Sequence, residues 1–508
     1  MAGVNTDVDF PPLPTRSTTR RASKSKSVAS VQYSRSTGPI ATLDDLPDEL
    51  ILGILEYLPG IDPKDFQLQT LLSLSLTTRH LHRVVSDKIY AVYDSYFCEP
   101  YLFLRTLISN PQLAQSVRHA KFRYGDDAHL ERKRYSPTAR DKKIIKEGMR
   151  GLDFPDWKGW AARCNVDEVE FDILHTAVLL YTPNLASLDV EDGQISAYSK
   201  AKWPELIKKA TTGEHFGHAH RFSSLKSVHL DAQNMVIRHL VPLLRLQSLR
   251  KLELRELSEI ELDMRAPAEL RRVLPERCNN LEELILEECS LRFDALTTLI
   301  SSARKLKSFR FDVNQESVLL DGSGVMLQNC LWRQKDCLER LDIYHDPRHN
   351  DDDDDPLSHG GLEQFPALRN LKCPLRMVAD VRSGASAIIL EYLPPALESL
   401  TLAIRWGAQE EQFLPVLERM ASDYSTAIPH LKSVTLNVQV PAEELDYDWE
   451  RLVKAYSTTS VDLKINLPSE SDDEWGDWRT VSSDSDDSSE DSDEVELWSN
   501  DSDDEESD

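Results

Sequence analysis

The residue types that most often carry enzyme chemistry are present, but they are not grouped as a reaction would require. Seven cysteines are scattered along the chain without a C-x-x-C pair, and no acid or cysteine follows His215, His218 and His220 at ligand spacing. Zinc sites need such clusters. The patterns G-x-x-x-x-G-K-[ST], H-E-x-x-H and G-x-S-x-G are also missing. We therefore predict a non-catalytic protein without a metal or another cofactor.

A run of aspartates from Asp351 to Asp355 is the one other group that suggests a ligand. Carboxylate oxygens suit Ca²⁺, but a calcium-binding loop intersperses its ligands with glycine and closes on a glutamate. This run has neither feature. We predict a solvated insertion rather than a metal site.

The charge of the chain is concentrated at its ends. The net charge is -27, and the segment from Glu470 to Asp508 contains 19 acidic residues and one base, Arg479. Residues 1–41 are instead mildly basic and rich in Ser and Thr. Segments of such composition bury too little apolar surface to fold. We predict a disordered basic arm over 1–41 and a disordered acidic tail over 468–508.

Both ends carry candidate phosphorylation sites. Ser23 follows Arg20-Arg21-Ala22, as in sites of basophilic kinases. The tail contains Ser483, Ser488 and Ser502, each with an acidic residue three positions later, as in sites of acidophilic kinases. Phosphate would deepen the negative potential of the tail. The tail is predicted to solubilise the chain, to bind a basic partner, or to contact the basic arm.

The expected cellular location of the protein rests on two features that the sequence lacks, a membrane span and a signal peptide. No run approaches the roughly 18 apolar residues of a membrane span, and the N-terminus has no apolar stretch suited to a signal peptide. We expect the protein in the cytoplasm, the nucleus or both, with reduced thiols, no membrane partner and no direct contact with nucleic acid.

The segment from Leu43 to Tyr90 is predicted to be helical. Pro47 can open a helix, and Asp48 and Glu49 fall in its first turn, where carboxylates favour the positive end of the helix dipole. Apolar residues then recur on one face of this helix: Leu50, Ile51, Ile54, Leu55 and Leu58. A second helix is predicted over residues 70–90.

This segment resembles the F-box family. The resemblance rests on Leu46-Pro47-Asp48-Glu49-Leu50, on the apolar helix to Leu58, and on the basic stretch from Thr78 to Arg83 that runs to Ser86-Asp87. It implies that residues 42–92 dock on the Skp-type adaptor of an SCF, or cullin-RING, ubiquitin ligase. By the resemblance, the adaptor-binding residues would be Leu46, Pro47, Leu50, Ile51, Ile54, Leu55 and Leu58, with Leu74 and Leu76 assisting.

Elementary energetics agree with a partner for this apolar stripe. About fifty residues in two or three helices cannot bury the stripe among themselves, and each large side chain buried on a partner contributes roughly 1.5–3 kcal/mol. The alternative is that the stripe packs against the downstream part of the same chain.

The pattern L-x-x-L-x-L, with conservative replacements, recurs along the rest of the chain. The clearest copy runs from Leu281 to Leu291 and has Cys289 at the Asn/Cys position of leucine-rich repeats. Other copies begin at Leu185, Leu225, Leu249, Leu306, Leu338, Leu368, Leu397 and Leu431, and a weaker one at Val117. In leucine-rich repeats the middle residues form a short strand, and the remainder returns as a helix or loop.

The repeats predict an α/β fold. A helical F-box would be followed by an irregular leucine-rich-repeat-like solenoid, with parallel strands on a concave face and helices outside. We assign residues 93–184 to a helical connector with the first degenerate repeats and residues 185–467 to the solenoid. The alternative is an all-helical repeat protein in which the hexamers are helix segments.

Strand positions that alternate with the buried ones would face the concave surface and bind the substrate. The candidates are Glu191, Asp231, Arg255, Ile285, Glu287, Arg310, Asp312 and Tyr344. One row of them is mainly acidic, which predicts a basic protein segment as partner, with Tyr344 and Ile285 as apolar anchors. The alternative is a merely solvated sheet face.

Together these features predict a substrate-recognition subunit of an SCF ubiquitin ligase, which acts in the ubiquitin conjugation pathway without catalysing a step itself. The rival hypothesis is a leucine-rich-repeat scaffold whose acidic tail acts as a chaperone for basic nuclear proteins.

Overall fold

The computed structural model describes residues 43–57, 64–124, 135–166, 171–192, 202–213, 215–233, 235, 237–257, 266–313, 324–345, 361–378, 390, 393–404, 414–438 and 449–467. The chain divides into two compact units, Met1–Leu58 and Pro59–Asp508. Several sequence predictions lie outside the described residues: the arm (1–41), the tail (468–508), Leu58, the run Asp351 to Asp355, and Ser23, Ser483, Ser488 and Ser502.

Within its described residues, 43–57, the first unit contains one α-helix, α1 (Asp48–Glu56), after a 3-10 turn (Leu43–Asp45). Pro47 occupies the N-cap position, and Asp48 and Glu49 lie in the first turn, as the sequence predicts. The proline fixes its own φ at a value compatible with helix entry, and the two carboxylates favour the positive dipole end.

The second unit opens with two helices where the sequence predicts one. Helix α2 (Lys64–Ser75) ends before Thr77, and α3 (Arg79–Ile89) begins after Thr78. The Thr78 side chain accepts a hydrogen bond from the backbone N–H of Leu81 at 3.1 Å. Such an N-cap satisfies a donor that a helix end leaves open. The prediction of a continuous helix over 70–90 is therefore wrong.

The main body of the second unit is a twelve-stranded parallel sheet whose strands follow one another in chain order. The first six strands are β1 (Val92–Asp94), β2 (His119–Tyr124), β3 (Ser187–Asp192), β4 (Ser227–Asp231), β5 (Lys251–Arg255) and β6 (Glu283–Cys289). The others are β7 (Ser308–Val313), β8 (Arg340–His345), β9 (Asn370–Pro374), β10 (Ser399–Ile404), β11 (Ser433–Val438) and β12 (Asp462–Asn466).

Helices connect most of these strands. Before β3 they are α4 (Pro100–Ser109), α5 (Pro111–Ser116), α6 (Ala139–Gly151), α7 (Trp157–Arg163) and α8 (Phe171–Leu180). After β3 they are α9 (Trp203–Thr211), α10 (Ile237–Leu244), α11 (Ala266–Val273), α12 (Phe293–Ser302), α13 (Gly324–Leu331), α14 (Leu414–Ala427) and α15 (Trp449–Ser457). Successive helices such as α12 and α13 pack against each other. This succession of strands and helices fits a repeat solenoid.

The hexamer pattern located ten of the twelve strands. Each strand from β2 to β11 begins two residues after the first position of its hexamer, for example Ser227 after Leu225 and Ser433 after Leu431. The all-helical alternative is therefore wrong, because these segments are strands. The pattern missed β1 and β12, where the first hexamer position is Tyr90 and Ser460 in place of an aliphatic residue.

The core lies on one face of the sheet. Inward positions such as Leu252, Leu254, Leu284 and Leu286 are fully buried, and they alternate along β5 with partly exposed ones. Cys289 is also fully buried, with its Sγ 3.4 Å from the carbonyl oxygen of the preceding repeat's Leu254. The residue at the Asn/Cys position thus fills space inside the repeat. Within the described residues no helix is long and apolar enough to cross a membrane.

Candidate functional site

Helix α1 presents an exposed apolar row, which we call the α1 row. It consists of Pro47, Leu50, Ile54 and Tyr57, whose spacing of three, four and three residues places them on one helix face. The side chains are exposed to 56% at Leu50, 48% at Ile54 and 87% at Tyr57. Exposed large apolar side chains in one row indicate a surface that a partner covers.

The remaining residues predicted for this face do not share its exposure. Ile51 and Leu55 are exposed to only 1% and 5%, so their side chains are not accessible to a partner. Leu46 is half-buried. The sequence could not separate the two sets, because residues 50, 51, 54 and 55 all fall within one broad stripe.

The assisting residues of the prediction lie on α2 and just beyond it. Leu74 is half-buried, whereas Leu76 follows the helix and is 74% exposed. Leu76 is thus another apolar side chain in this segment that is open to a partner.

Tyr57 is the member of the α1 row that the sequence analysis missed. It follows Ile54 by three residues, and that spacing was the available signal. Tyr57 is aromatic, whereas the apolar pattern that predicts the stripe consists of Leu and Ile.

Comparison with known protein families decides what this segment is. The family profile described as F-box domain matches residues 43–91. The chain carries an F-box domain. F-box domains typically bind Skp-type adaptors within cullin-RING ligases, and F-box proteins are generally non-catalytic substrate receptors. The domain supports a role in adaptor binding in SCF-type ligases. No curated protein matches the chain.

Downstream of the F-box domain, the strand register brings the predicted substrate-binding rows together on the open face of the sheet. In one row Asp189, His229, Glu253, Ile285 and Arg310 are successive partners across β3 to β7. This side-by-side arrangement follows from in-register parallel pairing.

The second row is interrupted. Asp231 pairs with Arg255, Arg255 with Glu287, and Asp312 with Tyr344. Between Leu286 and Cys289 the register shifts, so Glu287 and Asp312 are not direct partners. Glu191, at the end of β3, pairs with Arg123 of β2.

Bases of the sheet already neutralise part of the acidic row. Arg123 lies 3.2 Å from Glu191, and Arg310 lies 3.3 Å from Glu287. Lys121 contacts Glu191 as well and lies 3.5 Å from Asp189. Ion pairs of this kind reduce the field that a basic ligand meets. The attraction for a basic segment is therefore weaker than the sequence alone suggests.

His229 and Asp189 form a hydrogen-bonded pair on the same face, with 2.8 Å between Nδ1 and a carboxylate oxygen. The hydrogen bond to Asp189 raises the pKa of His229, although burial opposes the shift. Burial would raise the pKa of Asp189, but the hydrogen bond and charge of His229 lower it. The pair therefore favours its charged form.

The two predicted apolar anchors differ in access. Tyr344 is partly exposed, and its ring centroid lies 4.8 Å from the Arg310 guanidinium carbon and 4.2 Å from the Lys372 amine. Lys372 also donates a hydrogen bond to the Tyr344 hydroxyl. Ile285 is only 7% exposed, so the expectation that it offers an accessible anchor is wrong. The face around Tyr344 is aromatic and basic.

The cysteines and histidines of the described residues can be compared with the needs of a metal site. Within the described part of the chain no three His, Cys, Asp or Glu side chains cluster as metal ligands. Burial raises the pKa of Cys164 and Cys289 to about 12, which keeps these thiols protonated and unreactive. His220 is half-buried; desolvation lowers its pKa to about 4, and its Nε2 lies 2.7 Å from the Leu179 carbonyl oxygen.

Proposed function

We propose that this protein is the substrate-recognition subunit of an SCF ubiquitin ligase. Its F-box domain would dock on the Skp-type adaptor, and the open face of the sheet would bind the protein to be ubiquitinated. The α1 row carries the first half of the proposal, because these apolar side chains lie exposed within the residues that match the F-box profile. Catalysis would belong to other subunits, which this chain brings close to a substrate.

The energetics of the α1 row define the first experiment. Leu50→Ala/Ile54→Ala removes two exposed side chains without opening a core cavity. If both are buried on the adaptor, each contributes roughly 1.5–3 kcal/mol, so the double variant should lose roughly a hundredfold or more in affinity. The measurement is titration of the full chain with purified adaptor by calorimetry.

The control is Val453→Ala on α15, which trims a side chain that is 50% exposed and outside the F-box match. It should bind the adaptor as the unaltered chain does. Equal adaptor affinity of the unaltered chain and Leu50→Ala/Ile54→Ala would exclude the α1 row as the docking surface.

The open face is proposed as the substrate site because it combines charged side chains with Tyr344, an aromatic residue flanked by two cations. The acidic strands β3 to β6 would attract basic residues of the substrate, and Arg310 and Lys372 would attract an acidic residue beside Tyr344. Aromatic side chains with neighbouring arginine are enriched at binding hot spots.

Two variants with opposite expected losses test whether the open face binds the substrate. Proteins captured by the tagged full chain are quantified by mass spectrometry for the unaltered chain, Glu287→Lys/Asp312→Lys and Leu50→Ala/Ile54→Ala. The open-face variant should lose substrates but keep the adaptor, and the α1-row variant should lose the adaptor but keep substrates. An identical capture profile for the open-face variant and the unaltered chain would refute the proposed substrate face.

Deletion of the acidic tail, together with the α1-row variant, tests the rival hypothesis of an acidic chaperone for basic nuclear proteins. A chaperone for basic proteins would lose its partners on deletion of Glu470 to Asp508 and would be indifferent to the α1 row. The proposal expects the adaptor to remain bound after that deletion.

A further inference from the structure

A cavity among helices of the second unit is lined by none of the residues of the open sheet face. Its volume is about 160 Å³, and residues of α7, α9 and the segment before α7 line it. Drug-sized ligands occupy roughly 300–1,000 Å³. A space this small accommodates one side chain of a bound peptide rather than a whole cofactor.

The lining combines aromatic rings with cations. Trp160 is half-buried and forms an edge-to-face pair with the buried Phe154, with 5.8 Å between ring centroids. Arg163, Lys202 and Lys209 also line the cavity. Aromatic rings beside cations suit a ligand that brings an aromatic side chain together with carboxylates.

The two carboxylates in the lining are already engaged. Asp156 accepts a hydrogen bond from the backbone N–H of Gly159 at 3.3 Å and caps α7. Glu205 lies 3.4 Å from Lys209, one turn along α9. They therefore reduce the positive potential of the cavity without reversing it.

The surrounding helices extend this positive potential. Residues 139–163 and 202–211, which form α6, α7 and α9, contain ten Lys and Arg residues and five Asp and Glu residues. Exposed bases include Lys143, Lys146, Arg150 and Lys208. In a chain with a net charge of -27, this is a local basic surface. Its complementary ligand is acidic.

The same chain contains a sequence with this chemistry. The acidic tail has three tryptophans, Trp475, Trp478 and Trp498, and the last is preceded by Asp493-Glu494-Val495-Glu496-Leu497. This stretch offers an indole and three nearby carboxylates without a base among them.

The three tryptophans differ in how far they can extend from Leu467, the last described residue, toward the cavity. Helix α9, which lines the cavity, connects β3 to β4. Nine strand spacings of about 4.8 Å separate β3 from β12, or roughly 43 Å. Trp478 lies eleven residues after Leu467, so it reaches at most roughly 36–40 Å when fully extended, and Trp475 reaches less. Trp498 lies 31 residues after Leu467, and a flexible chain of that length spans roughly 30 Å on average and up to about 100 Å.

We propose that the cavity between α7 and α9 binds the acidic segment Asp493 to Trp498 of the same chain. The Trp498 indole packs against the half-buried Trp160, and Glu494 and Glu496 pair with Lys202, Lys209 and Arg163. The segment acts as a tethered ligand, so its effective concentration at the cavity is high even if the isolated peptide binds weakly. This site adds to the proposed ligase role and does not depend on it.

Carbodiimide cross-linking of the full chain tests the contact directly. The reagent joins a carboxylate to a lysine amine as an isopeptide bond, and the water that is lost converts the carbodiimide to its urea. Mass spectrometry should find cross-links from Glu494 or Glu496 to Lys202 and Lys209 severalfold above those to Lys226 and Lys454, which are exposed elsewhere. The preference should disappear at about 0.5 M salt, where the screening length is roughly 4 Å.

Matched tryptophan variants separate specific binding from general attraction between opposite charges. Trp498→Ala should reduce the cavity cross-links severalfold, whereas Trp475→Ala/Trp478→Ala should leave them unchanged at the same tail charge. An equal mixture of light and ¹⁵N-labelled chains should give cross-links within one chain only. Equal yields at all exposed lysines, no effect of Trp498→Ala, or cross-links between chains would each overturn the proposal.

Binding of the segment in trans supplies a second readout. A fluorescent peptide of residues 490–501 should bind the full-length Trp498→Ala variant more tightly than the unaltered chain, whose own tail competes. Lys202→Glu/Lys209→Glu in that background should abolish binding, while Lys226→Glu/Lys454→Glu, with the same charge change, should not. Equal loss in both pairs would show that net charge alone attracts the tail and would contradict a built site. Circular dichroism melting checks that all variants fold.

Discussion

Asp141 is a buried carboxylate that the surrounding donors hold in its charged form. Its oxygens accept hydrogen bonds from the backbone N–H and hydroxyl of Thr138, from the Tyr135 hydroxyl and from Arg105. Burial alone would raise its pKa, but these hydrogen bonds lower the pKa to about 2. The group thereby closes a capping box at the start of α6.

Asp141→Asn should lower the free energy of unfolding by about 1.5–3 kcal/mol near neutral pH, because hydrogen bonds to a charged group are lost. The folded pKa is below the unfolded value of 3.8, so the stabilisation is present above about pH 4 and disappears as the pH falls toward 2. Urea unfolding is measured from pH 7 to 2.5. The difference in the free energy of unfolding between Asp141→Asn and the unaltered chain should shrink as the pH falls. The control is Glu147→Gln, an exposed carboxylate on the same helix; a gap that does not close in acid would contradict this account.

Leu284 and Leu286 test the inward side of β6. Both are fully buried, so Leu284→Ala or Leu286→Ala should each cost roughly 2–5 kcal/mol, as truncations in a packed core do. The loss is measured as the shift of the urea midpoint of unfolding. Leu50→Ala, which trims an exposed leucine of α1, is the matched control and should change the midpoint little. Tolerance of both core changes would mean that these side chains do not face the core.

The exposure of single residues could be predicted from the sequence only where the spacing of apolar residues fitted one face of an element unambiguously. Along the strands, alternation identified the buried set, as at Leu252 and Leu254. On α1 the stripe was too broad, so Ile51 and Leu55 were grouped with Leu50 and Ile54. Ile285 was assigned to the open face, yet its neighbours cover it. How far a side chain is buried depends on the residues of the neighbouring strands, and the six residues of one L-x-x-L-x-L copy carry no information about those neighbours.

At the scale of elements, Gln334 joins two repeats through its side chain. Its Nε2 donates to the carbonyl oxygens of Ile300 and Ala303 at the end of α12, at 3.0 and 2.9 Å, and its Oε1 accepts from Leu306 N–H at 3.1 Å. Carbonyl groups at a helix end need such partners. The side chain is buried, with 2% exposed.

Gln334→Leu should lower the free energy of unfolding by roughly 3 kcal/mol or more, because it leaves three buried backbone groups without this partner, at about 1–3 kcal/mol each. Thermal or urea unfolding measures the loss, and Gln112→Leu on the exposed side of α5 is the control. A loss no larger than that of the control would mean that water or another side chain replaces Gln334.

Elements were predictable where one local pattern determined them. The L-x-x-L-x-L hexamer located β2 to β11, because inward alternation and strand length are both contained in six residues. It failed at β1 and β12, where packing against one neighbouring repeat tolerates Tyr90 and Ser460. The break between α2 and α3 was missed because Thr78 looks like an ordinary helix residue until its hydroxyl is seen to cap α3.

At the scale of the whole molecule, the second unit is a linear array in which each strand contacts only its neighbours. Stability in such an array is close to a sum over repeats and the interfaces between them. A strand at the end therefore has one stabilising interface where a central strand has two. The burial of the last strand reflects this difference: Leu463 and Ile465 of β12 are half-buried, whereas the equivalent Val434 and Leu436 of β11 are fully buried.

Hydrogen exchange should therefore be fastest at the C-terminal end of the array. Amides of β12 are expected to exchange well before those of β10 and β11, and those of the central β6 and β7 should be slowest, because opening the end breaks a single interface. Peptide-resolved deuterium uptake of the full chain measures this order. Among the described residues no strand pairs with the outer edge of β12, and an exposed edge is a site where another segment can add. Protection of β12 equal to that of β11 would mean that a further segment or a second molecule covers this edge in solution. Dilution would distinguish these two cases, because only the binding of a second molecule depends on concentration.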